Sequence, residues 1–261
     1  ALEHALRALG NPSSVHRFGR AARALVDQAR EQVAKLVGAR AQDVVFTSSG
    51  TEANNLAIAS RGDRALIVSG LEHDSVLKPA LAANARVLRT LPNGRVDLGD
   101  LELALAQVGK PAFVSLMLAN NETGVIQPVR EAADLVRRAV GILHCDASQA
   151  PGRISIDMQA LGADLLTLSA HKMGGMLGAG ALALKGDLPL AAQLVGGGQE
   201  KFRRAGTENV PAIAAFGAAA EQAMSIPESS FALRDRLEAQ LVEFGEGVTV
   251  LGKDAERLPN T

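Results

Sequence analysis

Val44-Val45-Phe46-Thr47-Ser48-Ser49-Gly50-Thr51-Glu52-Ala53-Asn54-Asn55 sets a short apolar run against a small, hydroxyl-rich turn and then a helical stretch. The run is too short for a helix and carries β-branched and aromatic side chains, so it reads as a buried strand. The same alternation continues along the chain. Strands are expected at Val44–Thr47, Ala65–Ser69, Val87–Leu91, Ala112–Ala119, Gly141–Asp146 and Leu165–Ser169, with Gly180–Leu184 as a candidate for one more. Helical stretches fall between them at Thr51–Arg61, Ser75–Asn84, Leu98–Gln107 and Val129–Val140. Such alternation predicts an α/β fold of three layers, α/β/α, around a mostly parallel sheet.

Ahead of this block, the amino end reads as an amphipathic helix. A second helix is expected from Arg17 to Val37, where Phe18, Ala22, Leu25, Ala29, Val33 and Leu36 recur every three or four residues and Gly38 stops the pattern. Behind it, Glu208 to Gly245 is Ala-rich and helical in pattern. Val248–Leu251 and Arg257–Thr261 follow and are expected to close onto nothing.

Open α/β sheets bind ligands beyond the carboxyl ends of their strands, and the residues that emerge there are chemically rich. Ser48-Ser49-Gly50-Thr51 opens a helix after the first strand, His73 follows the second, and Asn120-Asn121-Glu122 follows the fourth. Asp146 ends the fifth with Gln149 one turn on, and His171-Lys172 follows the sixth. The Ser-Gly-Thr turn suits a phosphate at a helix amino terminus, and it suits an ordinary N-cap as well. It is not a Walker A loop, and no G-x-G-x-x-G follows a strand. Asp146 reads as a turn residue or as a carboxylate for a protonated ring nitrogen. Lys172 reads as a surface lysine or, set among Ser169, His171 and two glycines, as the amine that captures a cofactor carbonyl. His73 is a capped loop histidine or a stacking and acid–base group. The choice of stackers is narrow, because the chain has no Trp or Tyr, seven Phe and five His. His144 should face away from Cys145, which reads as an inert, buried thiol.

The 261 residues are 47% apolar and 21% charged with a net charge of −1, the balance of a globular protein without a nucleic-acid surface. No apolar run approaches a membrane span, so no membrane partner is expected. The single cysteine excludes an internal disulfide and suits the cytoplasm. The chain begins without Met and is expected to be a piece of a longer protein.

Several segments, in order along nearly the whole chain, resemble NifS/IscS-like cysteine desulfurases of the class V aminotransferase family. They are Gly10–His16, Phe46–Asn55, Glu72-His73, Asn120–Gly124, Asp146–Gln149, Ser169–Lys172, Gly196–Glu200 and Arg204–Asn209. The resemblance implies a fold-type I large domain binding pyridoxal 5′-phosphate over residues 1–245, with residues 246–261 starting a smaller carboxyl-terminal domain. It implies Lys172 as the Schiff-base lysine and proton shuttle, and His73 as the ring-stacking group that assists proton transfer. Asp146 would pair with the pyridine nitrogen, while Gln149 and Asn121 would contact the phenolic oxygen or substrate. Gly50, Thr51, Ser169 and His171 would hold the phosphate, and Thr207 would reach that of a neighbouring subunit in a homodimer.

The implied reaction takes sulfur from L-cysteine, releases L-alanine and leaves an enzyme persulfide for a sulfur-acceptor or scaffold protein in iron–sulfur cluster or thio-cofactor assembly. The family's amino-terminal Asp-Asn-Ala-Ala-Thr-Thr pattern and its persulfide cysteine are not found here, so these residues alone are expected to be inactive. Gly175-Met176-Leu177-Gly178 stands where Pro-Lys-Gly is usual, and Lys201-Phe202 where Arg-Gly is common. Other class V enzymes, a selenocysteine lyase or an aminotransferase-like relative, are the nearest alternatives. A non-catalytic truncated homologue serving as a binding partner is the alternative of a different class.

Overall fold

The computed structural model describes residues 1–7, 10–225 and 229–261. In chain order its elements begin with α1 (Leu2–Arg7), α2 (Arg17–Leu36), β1 (Val44–Thr47), α3 (Gly50–Ala59) and β2 (Ala65–Ser69). They continue with α4 (Asp74–Ala82), β3 (Arg86–Leu88), α5 (Leu98–Gln107), β4 (Ala112–Ser115) and α6 (Val129–Arg138). The rest are β5 (Ile142–Asp146), α7 (Met158–Leu161), β6 (Leu165–Ser169), β7 (Gly180–Leu184), α8 (Val210–Gln222) and α9 (Ser229–Phe244). The helical pattern expected over Glu208–Gly245 is thus two helices, and residues 226–228 within it lie outside the described residues.

The seven strands form one sheet in the order β1-β7-β6-β5-β4-β2-β3. Every neighbouring pair is parallel except the two made by β7, which runs against both β6 and β1. Alternate side chains feed two cores, as the period of a strand requires. Val44, Phe46, Leu143, Cys145 and Leu166 pack with α2, α5, α6 and α8, whereas Val45, Leu66, Phe113 and Leu182 pack with α3 and α4. The three-layer arrangement is therefore present. On α2, Phe18 departs from the expected core face and is 54% exposed, while Val26 is buried in its place.

Two strands are shorter than their apolar runs. β3 ends at Leu88 because the Arg89 N–H donates to Asp100 Oδ2 at 2.9 Å and leaves the ladder. β4 loses its pairing with β2 after Ser115, where the Met117 N–H donates to Glu72 Oε1 at 2.6 Å. The Leu116 and Leu118 N–H groups still donate to the His144 and Asp146 carbonyls of β5, and Leu116–Ala119 stays buried. The outer edge of β1 is closed by side chains. Arg30 and Glu200 pair through two bonds of 2.6 and 2.7 Å, Arg30 Nη1 donates to the Val44 carbonyl, and Glu200 Oε2 accepts from the Phe46 N–H. Such plugging of an edge strand blocks pairing with another chain.

The turn that presents Glu200 holds three successive non-glycine residues, Glu200, Lys201 and Phe202, at φ of 46°, 57° and 63°. Phe202 takes the position where the resemblance favours glycine, and it is exposed. The tail also differs from expectation, because it does close onto something. Arg257 bridges to Val125, the Leu258 N–H donates to the Gly124 carbonyl at 2.8 Å, and Leu258 is buried.

β7 begins at Gly180 against the backbone of the Ser49–Gly50 turn. A Cβ there would lie 2.3 Å from the Ser49 carbonyl carbon, and that backbone cannot swing aside. Gly180→Ala is therefore expected to cost about 1–3 kcal/mol as an overpacked site. Urea denaturation of variant and parent checks it, and equal midpoints and slopes would contradict the close approach.

Candidate active site

The loops after β1, β2, β4, β5 and β6 meet at the carboxyl rim of the sheet around a cleft of about 300 Å³. Its lining includes Gly50, Thr51, His73, Asn121, Asp146, Gln149, Ser169, His171 and Lys172. The sequence reading named ten residues, and nine of them stand in this one place. Thr207 does not. It lines a separate pocket with Thr47, Ser48, Arg204 and Asn209.

Ser49 caps α3, its Oγ accepting from the Glu52 N–H at 3.2 Å. The N–H groups of Gly50 and Thr51 lie in the first turn, where no intrahelical acceptor exists. Glu52 would oppose an anion at this helix end, but its carboxylate is drawn away to Arg204 at 2.8 Å and to the Ser48 N–H. Burial pushes the Glu52 carboxyl up, yet the hydrogen bonds from Arg204 and Ser48 outweigh it and hold it below its ordinary value. A Cβ on residue 50 would come 3.2 Å from Ser169 Cβ and 3.3 Å from Ser148 Oγ, so glycine keeps this corner open.

Across the cleft, Asp146 is nearly buried. Its Oδ2 accepts from Asn54 Nδ2 at 2.7 Å and its Oδ1 from the Ser148 N–H at 2.9 Å. Lys172 sits on a single 3₁₀ turn, Ala170–Met173, between β6 and β7. Ser169 Oγ lies 3.0 Å from His171 Nδ1. Burial, and then the neighbouring Lys172 ammonium, lower the pKa of His171, which favours its neutral form. His73 caps α4 with its own ring nitrogen, Nδ1 accepting from the Ser75 N–H at 3.1 Å.

In the cleft wall and behind it lie three groups that the sequence reading gave no role: Asn54 and Ser75 in the wall, and Glu72 behind it. Glu72 is buried, and its pKa is pushed up to about 8 by desolvation and then by the Asp146 charge, against the Met117 N–H bond. Asn54 and Ser75 form the hydrogen-bonded wall between Asp146 and His73. The available signal was the pair Asn54-Asn55 in mid-helix, where poor helix formers need hydrogen-bond partners. Cys145 points into the core, and burial, with Asp146 and Glu72, raises its thiol well above the ordinary value. His144 faces the other core, bonded to Ser115 and Thr167, and burial pulls it down to about 4. Neither residue lines the cleft.

The donor set fits pyridoxal 5′-phosphate. An anion-ready helix start stands on one side, a carboxylate with its partners fixed on the other, and an amine, a flat imidazole and space without a Cβ between them.

The sequence profile of the family Aminotransferase class-V matches residues 1–261. A cysteine desulfurase of Sinorhizobium fredii is 40% identical over 97% of this chain and 69% of its own length. Across such curated relatives the chain spans roughly two thirds of their length. Among solved structures, the NifS-like protein of Rickettsia africae superposes with a TM-score of 0.95 at 36% identity, over 99% of this chain and 74% of that one. A structure described as SspA in complex with cysteine superposes with a TM-score of 0.85 at 27% identity, over 98% and 77%. With lysine, carboxylate and helix start at one rim, and such likeness along almost its whole length, the chain belongs to the NifS-like cysteine desulfurases of the class V aminotransferase family.

Proposed function

We propose that this chain forms the cofactor-binding part of a pyridoxal 5′-phosphate-dependent cysteine desulfurase, which moves sulfur from L-cysteine to an acceptor thiol and leaves L-alanine. One observation carries the reading: Asp146 and Lys172 line the same cleft, with the amino terminus of α3 beside them. The cofactor, when bound, supplies an electron sink that makes an amino acid's Cα–H acidic. Asp146 would accept the N–H of the pyridine ring, and its two existing donors keep the carboxylate oriented for it. Lys172 Nζ would be the point of covalent attachment and, once released by substrate, the base that takes and returns the Cα proton. Gly50 and Thr51 N–H groups, with Ser169 and His171, would hold the phosphate, and His73 would cover a ring face. Asn121 and Gln149 would meet the phenolic oxygen or the substrate.

Thr207 lies away from this cleft, so its place in the reading is at the phosphate of a second copy, in a homodimer. Iron–sulfur cluster or thio-cofactor assembly is the fitting destination for the sulfur, through a partner acceptor or scaffold protein. The cytoplasm fits the lone, buried thiol.

Titration with pyridoxal 5′-phosphate, followed by its visible absorbance, tests the reading. Asp146→Asn keeps the shape and removes a charge-assisted bond worth about 1.5–3 kcal/mol, so affinity should fall about 10- to 100-fold. Equal affinity in variant and parent would remove Asp146 from the ring. L-cysteine added to the loaded chain should perturb the same absorbance where L-serine does so less; no discrimination would remove cysteine as the substrate.

A further inference from the structure

We propose that Asn54 and Ser75 are positioning residues that hold the neutral imidazole of His73 in one tautomer, with its proton on Nε2. His73 then meets the occupant of the cleft as a hydrogen-bond donor and not as a base. What the donor meets rests on the cofactor reading above; the tautomer is a property of this chain alone.

Asn54 Nδ2 lies 2.7 Å from Asp146 Oδ2 and 2.8 Å from Ser75 Oγ, so both of its N–H bonds are used. Turning the amide over would set Oδ1 against a carboxylate oxygen, acceptor against acceptor, so the carboxylate fixes which way Asn54 faces. Ser75 Oγ therefore accepts from Asn54, which leaves its single O–H to give. His73 Nδ1 stands 2.8 Å away to receive it. The same Nδ1 also accepts the Ser75 backbone N–H at 3.1 Å, as the capping atom of α4. Two donors converge on one lone pair, and a proton there would meet both. The proton of the neutral ring belongs on Nε2, at the opposite edge of a side chain that lines the cleft.

Asn54 and Ser75 are 1% and 8% exposed, so water does not readily take over either bond. A base working in the cleft needs a bare nitrogen, and His73 as held here presents none. Proton abstraction then falls to Lys172, while His73 stacks and donates.

The tautomer is read directly from two-bond ¹H–¹⁵N correlation spectra of the ¹⁵N-labelled, cofactor-free chain at about pH 8.5, about two units above the ordinary imidazole pKa. His73→Asn identifies the signals by their loss. A pyrrole-like Nε2 and a pyridine-like Nδ1 are expected in the parent. Ser75→Ala retains only the backbone donor and should shift both nitrogens toward the averaged values of a tautomer mixture. An Nδ1–H tautomer in the parent would overturn the proposal without any variant, as would a Ser75→Ala spectrum superimposable on the parent's. Adding pyridoxal 5′-phosphate to the same samples separates the two readings. The expected tautomer with no cofactor absorbance leaves the inference standing and ends the cofactor reading, while bound cofactor beside an Nδ1–H ring does the reverse.

Discussion

Borohydride reduction of the chain loaded with pyridoxal 5′-phosphate should fix one pyridoxyl group on the peptide that contains Lys172, and Lys172→Ala should abolish it. The expected effect is total because nothing else in the cleft can replace the amine. Of the seven lysines, Lys172 alone lines it among the described residues. Lys185 pairs with Asp164 and Lys78 with Asp74, both elsewhere on the surface. A flexible ammonium loses its proton readily enough to attack a carbonyl, which arginine cannot do. The 3₁₀ turn that carries it follows β6 directly, and the loop is tied at its base by the Ala170 N–H donating to the Ala179 carbonyl at 3.2 Å, so the amine is delivered to a fixed place. Peptide mapping by mass spectrometry gives the answer, and equal labelling of Lys172→Ala at another lysine would sink the assignment.

Glu72 should make the protein less stable as pH rises from about 4.5 to about 8. The sign follows from where the proton binds more tightly. In the unfolded chain the carboxyl has its ordinary value of 4.5, and burial beside Asp146 raises it to about 8 in the fold. Between those values the folded state holds a proton that the unfolded state has released, so each step up in pH favours unfolding. Below 4.5 both states are protonated and Glu72 adds no slope; above 8 both are ionised and the loss is complete. At roughly 1.4 kcal/mol per unit, the loss amounts to a few kcal/mol as an order of magnitude. Glu72→Gln keeps an oxygen for the Met117 N–H and has no carboxyl to titrate. Urea denaturation from pH 5 to 9 should show the parent falling relative to this variant, and parallel curves would show that Glu72 is not the titrating group.

The sheet was legible because its strands are apolar on both faces. Val44–Thr47, Ala65–Ser69 and Leu165–Ser169 have the bounds expected from sequence, and so does the candidate strand Gly180–Leu184. What periodicity does not carry is where a side chain intercepts the ladder. Asp100 takes the Arg89 N–H from 11 residues away and Glu72 the Met117 N–H from 45, and the pairing of β3 and of β4 with β2 goes no further although the apolar run continues.

The cleft was legible for a related reason. Residues at successive strand ends share one rim whatever their spacing, so Asp146 and Lys172 could be brought together without coordinates. Their supports could not. Asn54, Ser75 and Glu72 act through tertiary hydrogen bonds and a shared low-polarity pocket, and no local pattern marks which acceptor an amide will find. The docking of Arg257 and Leu258 on Gly124–Val125 was missed on the same ground, since a single bridge leaves no repeat to read.

Because β7 turns back directly beside β6, the lysine loop is a local hairpin, and β5 with Asp146 joins it from the preceding unit. β1 must instead find β7 across nearly all the intervening chain, pairing Val44 with Ala183. Long closures of that kind are slow and entropically costly. The amine and carboxylate half of the cleft can therefore assemble early, with the helix start at Gly50 arriving last. A doubly anchored ligand would act as a clasp on that final closure, favouring the completed molecule over one whose first strand has come loose.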